Sequence, residues 1–146
     1  QRSKTESRKI AVMENTKTLK GILVLSGSIG IIIGLLNLFV PVEFAALSDI
    51  QLGDNNSLLS ETRAPGAALV GLGALIIAGA FHDALRFTAT VVATILYLFY
   101  GLGRLWSMAA DGMPHGALVQ AAAGEVIIGL ICLFMLCKYR RIATQH

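Results

Sequence analysis

The chain has 146 residues, 55 % of them hydrophobic, and a mean hydropathy of +0.69, where roughly 45–50 % apolar is usual for soluble domains. Charged residues make up only 14 %, against about 25 % in average soluble proteins; a core this small cannot hide the excess apolar surface, so an ordinary soluble globule is excluded and lipid must cover it. The formal charge of +3 sits mainly at the ends, with Arg2, Lys4, Arg8, Lys9, Lys17 and Lys20 before the first apolar run and Lys138, Arg140 and Arg141 after the last, a placement that argues for basic flanks of membrane helices and against nucleic acid as a partner.

Residues 1–19 read as a basic tail. Gln1 is no initiator, and Met13 opens Met13-Glu14-Asn15-Thr16-Lys17 as a start would, so residues 1–12 are read as an upstream extension without functional weight. The first span runs over about 21–40, carries no charge, and is closed by Pro41. At 1.5 Å per residue, about 20 residues match a hydrocarbon core of about 30 Å. Its apolar run exceeds the usual 7–15 residues of a signal peptide and no A-x-A site follows directly, which predicts an uncleaved membrane helix. The loop 41–64 is acidic, with Glu43, Asp49, Asp54 and Glu61 against Arg63 alone. Within it Val42–Leu47 is expected to form a short interfacial helix and Gly53–Ser57 a turn. Asn55-Asn56-Ser57 is a formal glycosylation triplet that chance supplies often.

The second span covers about 65–81, the third about 88–108 and the fourth about 117–137, giving a four-helix membrane domain over 20–138 and a basic tail over 139–146. Their Ile/Leu/Val/Ala content suggests no amphipathic stripe of the kind that soluble helices carry. The 82–87 turn contains Arg86, and the 109–116 loop has no Lys or Arg. With both ends basic, all three loops agree with four crossings and both termini in the cytoplasm.

Small residues supply the packing surfaces. Ser26, Gly30 and Gly34 form a ridge on the first helix; Ala67, Gly71, Gly73, Leu75 and Gly79 lie on the second, and Ala117, Ala121, Glu125 and Gly129 on the fourth. Such ridges let helices approach closely in lipid. Packing within one chain is the expectation, with a homo-oligomer seam as the alternative. Cys132 and Cys137 are five residues apart on one helix, roughly 8 Å by rise, which is beyond disulfide reach.

Glu125 stands in the middle of the fourth span, where a carboxylate is costly and needs a partner or a cavity. Placed by depth, Arg104 near the end of the third span, Arg63 and Glu61 before the second, and Asp111 and His115 in the turn between the third and fourth all fall in the outer half. The short turn makes the third and fourth helices antiparallel neighbours, so an Arg side chain can span most of the gap between Arg104 and Glu125. Tyr97, Tyr100 and Gln120 are expected to add hydrogen bonds, Trp106 to join the interfacial aromatic belt, and His82 and Asp83 to cap helices at the inner turn. The cluster Glu61, Arg63, Arg104, Asp111 and Glu125 is either a structural clasp or an outward-facing pocket. No catalytic signature, nucleotide loop or paired histidine at ligand spacing is present, so no cofactor or metal is expected.

The stretch Leu59-Ser60-Glu61-x-Arg63-Ala64-Pro65-Gly66-x-x-Leu69-x-Gly71-x-Gly73, then Gly101-Leu102-Gly103-Arg104-x-x-Ser107, Asp111-Gly112-x-Pro114 and Glu125, resembles the DUF4345 family across roughly Leu19 to Cys137. The resemblance implies a small bacterial protein with four membrane helices, multi-pass in the inner membrane, and carries no catalytic residues with it. The general build is also similar to DoxX-like membrane proteins, without a motif that transfers a redox role. The resulting expectation is a non-enzymatic all-α bundle that binds a lipid-like or small amphiphilic ligand, or a protein partner, through the outer polar cluster. A small transporter with Glu125 in proton coupling is the alternative, and an enzyme or electron-transfer subunit ranks third.

Overall fold

The computed structural model describes residues 2–143, with side chains described for 16–138. The tail residues 1 and 144–146, and the basic side chains of both tails before Thr16 and after Lys138, lie outside the described ones. The elements are α1 (Arg2–Phe39), α2 (Pro41–Ala46), α3 (Asn56–Phe81), α4 (Asp83–Asp111) and α5 (Gly116–Ala143), with no strand among the described residues. Four stretches are long and apolar enough to cross a membrane: Thr16–Phe39 within α1, the whole of α3 and α4, and Gly116–Lys138 within α5. The protein is an all-α, multi-pass membrane protein.

The helices run past the ends that hydropathy sets. α3 starts at Asn56 rather than near Pro65, because Asn55 caps it: its Oδ1 accepts from the backbone N–H groups of Ser57 and Leu58 at 3.0 and 3.2 Å, satisfying two of the orphan donors of a helix start. Pro65 is therefore internal, and the polar turns before it belong to the helix. The expected turn at 53–57 shrinks accordingly, with Gly53 at φ +56°, a left-handed value suited to glycine. At the other end of α3 a single residue, His82, separates it from α4, so the expected 82–87 turn is mostly helix. Gly112, at φ 98°, opens the short loop that turns α4 into α5. The expected interfacial helix appears as α2, with Pro41 buried in its first turn, where the missing N–H is tolerated.

α1 and α3 pack antiparallel along a glycine seam. A Cβ on Gly27 would lie 2.7 Å from the Gly73 carbonyl oxygen, and one on Gly34 would lie 2.7 Å from that of Gly66. The backbones approach closely from Gly27 to Leu38, which in lipid gives dispersion contact that bulkier residues would prevent. Gly66 and Gly73 form the α3 side, whereas Gly71, an expected seam member, faces open space. Gly79 meets Ala89 of α4 instead. α4 and α5 form a second close pair, with Gly101 against Val126 and Gly129 against Leu98.

Because successive spans are antiparallel, the start of α1, the His82 turn and the end of α5 share one end of the molecule, here the tail end. Leu19, Leu23, Ile76, Ala80, Ala89, Ala93, Cys132 and Met135 form the buried core. All eight lie in the tail-end half of their membrane spans, so all four spans converge there. Toward the opposite, loop end, burial occurs within the α1–α3 and α4–α5 pairs, at Gly34, Gly66, Gly101 and Ala122. The molecule is closed at the tail end and looser at the loop end.

One expectation fails in an informative way. α4 does carry a stripe, and it is inverted: Arg86, Thr90, Thr94 and Tyr97 are buried, while Phe87, Ile95, Phe99, Leu102 and Trp106 are exposed. In water this arrangement would be unstable; in lipid, polar groups turn inward to find partners and apolar groups face the chains.

Candidate functional site

Arg104 and Glu125 meet. Register explains how: with Leu98 opposite Gly129 and Gly101 opposite Val126, Arg104 is level with Ala123, about 3 Å of rise from Glu125. Helical side chains lean toward their own N-terminus. α4 begins at the tail end and α5 at the loop end, so Arg104 leans down and Glu125 leans up, and the gap closes. The Arg104 Nε donates to Glu125 Oε2 at 3.0 Å and to Oε1 at 3.2 Å. The carboxylate side chain is 15 % exposed and that of the arginine 33 %, so Glu125 is the sheltered partner and Arg104 the accessible one. Neither terminal nitrogen of Arg104 makes a hydrogen bond to a described residue.

Beside Arg104 lies a shallow, wide-open groove on the surface of α4, lined by Phe99, Tyr100, Gly103, Arg104 and Ser107. Gly103 leaves it open, since a Cβ there would meet nothing within 4 Å. One turn farther out, Asp111 is exposed and its Oδ2 accepts from Ser107 Oγ at 3.1 Å. Glu61 and Arg63 are exposed on the loop-end extension of α3, and neither makes a hydrogen bond or ion pair to another described residue. The five expected site residues thus divide. Arg104 and Glu125 form a pair, Asp111 extends their face outward through Ser107, and Glu61 and Arg63 stand apart at the loop end.

The tail-end half holds polar residues of a different kind. Arg86 is buried and pairs with Asp83, whose side chain is 83 % exposed; its Nε has no described partner. Asp83 thus pairs with an arginine, and His82 flanks both helices without a capping side-chain bond. Thr90 Oγ1 donates to the Arg86 carbonyl and Thr94 Oγ1 to that of Thr90, each at 2.7 Å. The Tyr97 hydroxyl, expected beside Glu125, donates across to the Ser26 carbonyl of α1. Such side-chain bonds to carbonyls are how membrane helices satisfy hydroxyls. Cys132 is a buried free thiol and Cys137 an exposed one.

A family model described as a domain of unknown function, DUF4345, matches residues 18–136. The chain belongs to the DUF4345 family. No curated protein and no solved structure matches it. The DUF4345 match runs from the last residues before the first span to the end of the last, so the glycine seam, the Arg104–Glu125 pair and the α4 groove all fall within it. Reading the sequence for site residues missed Phe99, Gly103 and Ser107, although Ser107 stands in the DUF4345-like Gly101–Ser107 block. Spacing finds Ser107, which continues a polar register along α4, whereas Phe99 and Gly103 lie outside that register. Asp83, Arg86, Thr90, Thr94, Tyr97, Arg104, Ser107 and Asp111 recur mostly three or four residues apart, the mark of one helical face.

Proposed function

We propose that the loop-end half of this protein binds a lipid-like amphiphile along the α4 groove, with Arg104 as its polar anchor and Glu125 holding that anchor in place. The observation that carries this reading is the division of labour within the Arg104 guanidinium. Its Nε is committed to a sheltered carboxylate, while its terminal nitrogens lack described partners beside a shallow, open groove bordered by Phe99 and Tyr100. A pure clasp would favour the bidentate geometry in which a terminal nitrogen also engages the carboxylate. Phe99 and Tyr100 offer apolar contact to a chain, and Glu61, Arg63 and Asp111 set the charge at the loop end. The basic tails orient the tail end toward the cytoplasm by the positive-inside rule, so the groove opens toward the outer leaflet of a bacterial inner membrane.

Proton coupling through Glu125 has less support. Thr90, Thr94 and Tyr97 each donate to a backbone carbonyl rather than to one another, so these hydroxyls form no chain from the outer pair toward Arg86. Native mass spectrometry of the purified protein tests the binding reading. Arg104→Ala should lose the co-purifying amphiphile and Glu125→Gln should weaken its retention, with helical circular dichroism preserved. Full retention by both variants would reduce the pair to a structural contact.

A further inference from the structure

The identity of the amphiphile follows from the order of charges along α4, given the groove-binding reading above. From the bilayer outward, one face presents the Tyr100 ring, then the Arg104 cation, then Ser107, then the Asp111 carboxylate, with Phe99 round the helix at the edge of the groove. Arg104 lies about 6 Å above Tyr100 by helix rise, and Asp111 about 10 Å above Arg104. We propose that the groove selects a zwitterionic phospholipid of the phosphoethanolamine type, with its phosphate on Arg104 and its primary ammonium on Asp111. Such a lipid presents acyl chains, phosphate and ammonium in that order, the complement of the ring, the cation and the carboxylate.

Net charge decides against the simpler choice of an anionic lipid. Glu125 already balances Arg104, and Asp111 adds a second carboxylate on the same face. An anionic headgroup would join a set that is negative without it, and like charges brought together are destabilising. A zwitterion brings no net charge, and its ammonium offsets Asp111. Among zwitterions the primary amine is favoured because it has N–H donors for the Asp111 carboxylate, which now accepts only from Ser107; a quaternary ammonium has none. The terminal nitrogens of Arg104 present the forked donors that match phosphate oxygens.

Native mass spectrometry of the full chain tests this, in micelles doped equally with phosphatidylethanolamine, phosphatidylglycerol and phosphatidylcholine of identical acyl chains. The wild type should retain phosphatidylethanolamine roughly tenfold over either competitor, which corresponds to about 1.4 kcal/mol. Asp111→Asn should bring the ethanolamine lipid down to the level of the choline lipid while total phospholipid retention persists. Arg104→Gln combined with Glu125→Gln, a pair that leaves no unbalanced charge in the helices, should lose all three lipids. No retention by the wild type, or full retention by the double variant, overturns groove binding itself. Retention without preference, or a preference unchanged in Asp111→Asn, overturns the headgroup assignment alone.

Discussion

Replacing Gly73 with alanine tests the α1–α3 seam most directly. The new methyl would lie 2.7 Å from the Gly27 carbonyl oxygen, 2.8 Å from Ile31 Cγ1 and 3.0 Å from the Ile31 nitrogen. Ordinary contact needs roughly 3.5–4.0 Å, and two of the three obstacles are backbone atoms that cannot rotate aside. The helices must therefore part locally by up to about 1 Å, and a gap of 0.5–1 Å forfeits roughly a quarter to a half of each dispersion contact. The loss spreads to neighbours on the seam, Gly27 on Ile77 and Gly30 on Leu69. A destabilisation of about 1–3 kcal/mol is expected, as for overpacked cores. Gly71→Ala is the control on the same helix: its methyl meets nothing within 4 Å, and helix propensity alone favours it by up to about 1 kcal/mol. Unfolding in mixed micelles on addition of a denaturing detergent, followed by circular dichroism, compares the two. Equal or greater stability of Gly73→Ala than Gly71→Ala would refute the seam.

A double-mutant cycle on Arg104→Gln and Glu125→Gln should show a favourable coupling of about 1 kcal/mol, within the range for contacting residues; additivity would mean that the pair does not form. Tyr97→Phe removes the bond to the Ser26 carbonyl and should cost about 0.6 kcal/mol, the average for interhelical bonds in membranes, while Tyr100→Phe, which removes a hydroxyl with no described bond, should have no effect in the same assay. A small permeant maleimide should add one mass increment to the native protein, at the exposed Cys137, and two after denaturation, when the wholly buried Cys132 opens; rapid double labelling of the native form would contradict the tail-end core. Asn55→Ala should lower stability by about 1 kcal/mol through loss of the α3 cap, whereas Asn56→Ala should not.

Much of this architecture was legible from hydropathy, because membrane helices announce themselves by length and apolar content. The Arg104–Glu125 pair was legible from depth, since two charges at similar level on adjacent antiparallel helices have few other partners. Helix ends were less so. Pro65 looks like a helix start, and only the side-chain cap at Asn55 extends α3 back across Glu61 and Arg63. The glycine seam was half legible: Gly34 belongs to it, but choosing Gly73 over Gly71 requires the rotation of α3, which packing alone determines. The partner of Tyr97 had no signature at all, because its acceptor is a backbone carbonyl and every residue has one. Conversely, the polar face of α4 was present in the spacing and was masked by the apolar residues between its members.

The single residue between α3 and α4 also constrains how the protein enters the bilayer. A link of one residue leaves little slack for the two helices to be inserted and docked as separate events. α3 is free of charge from Pro65 to Phe81 and inserts readily, while α4 carries Arg86 and Arg104, and an arginine deep in a span opposes insertion by about 2.5–3.5 kcal/mol when central. Insertion of α3 and α4 together as one hairpin would offset that cost. Until α5 follows and delivers Glu125, the nascent chain holds Arg104 without its counter-charge.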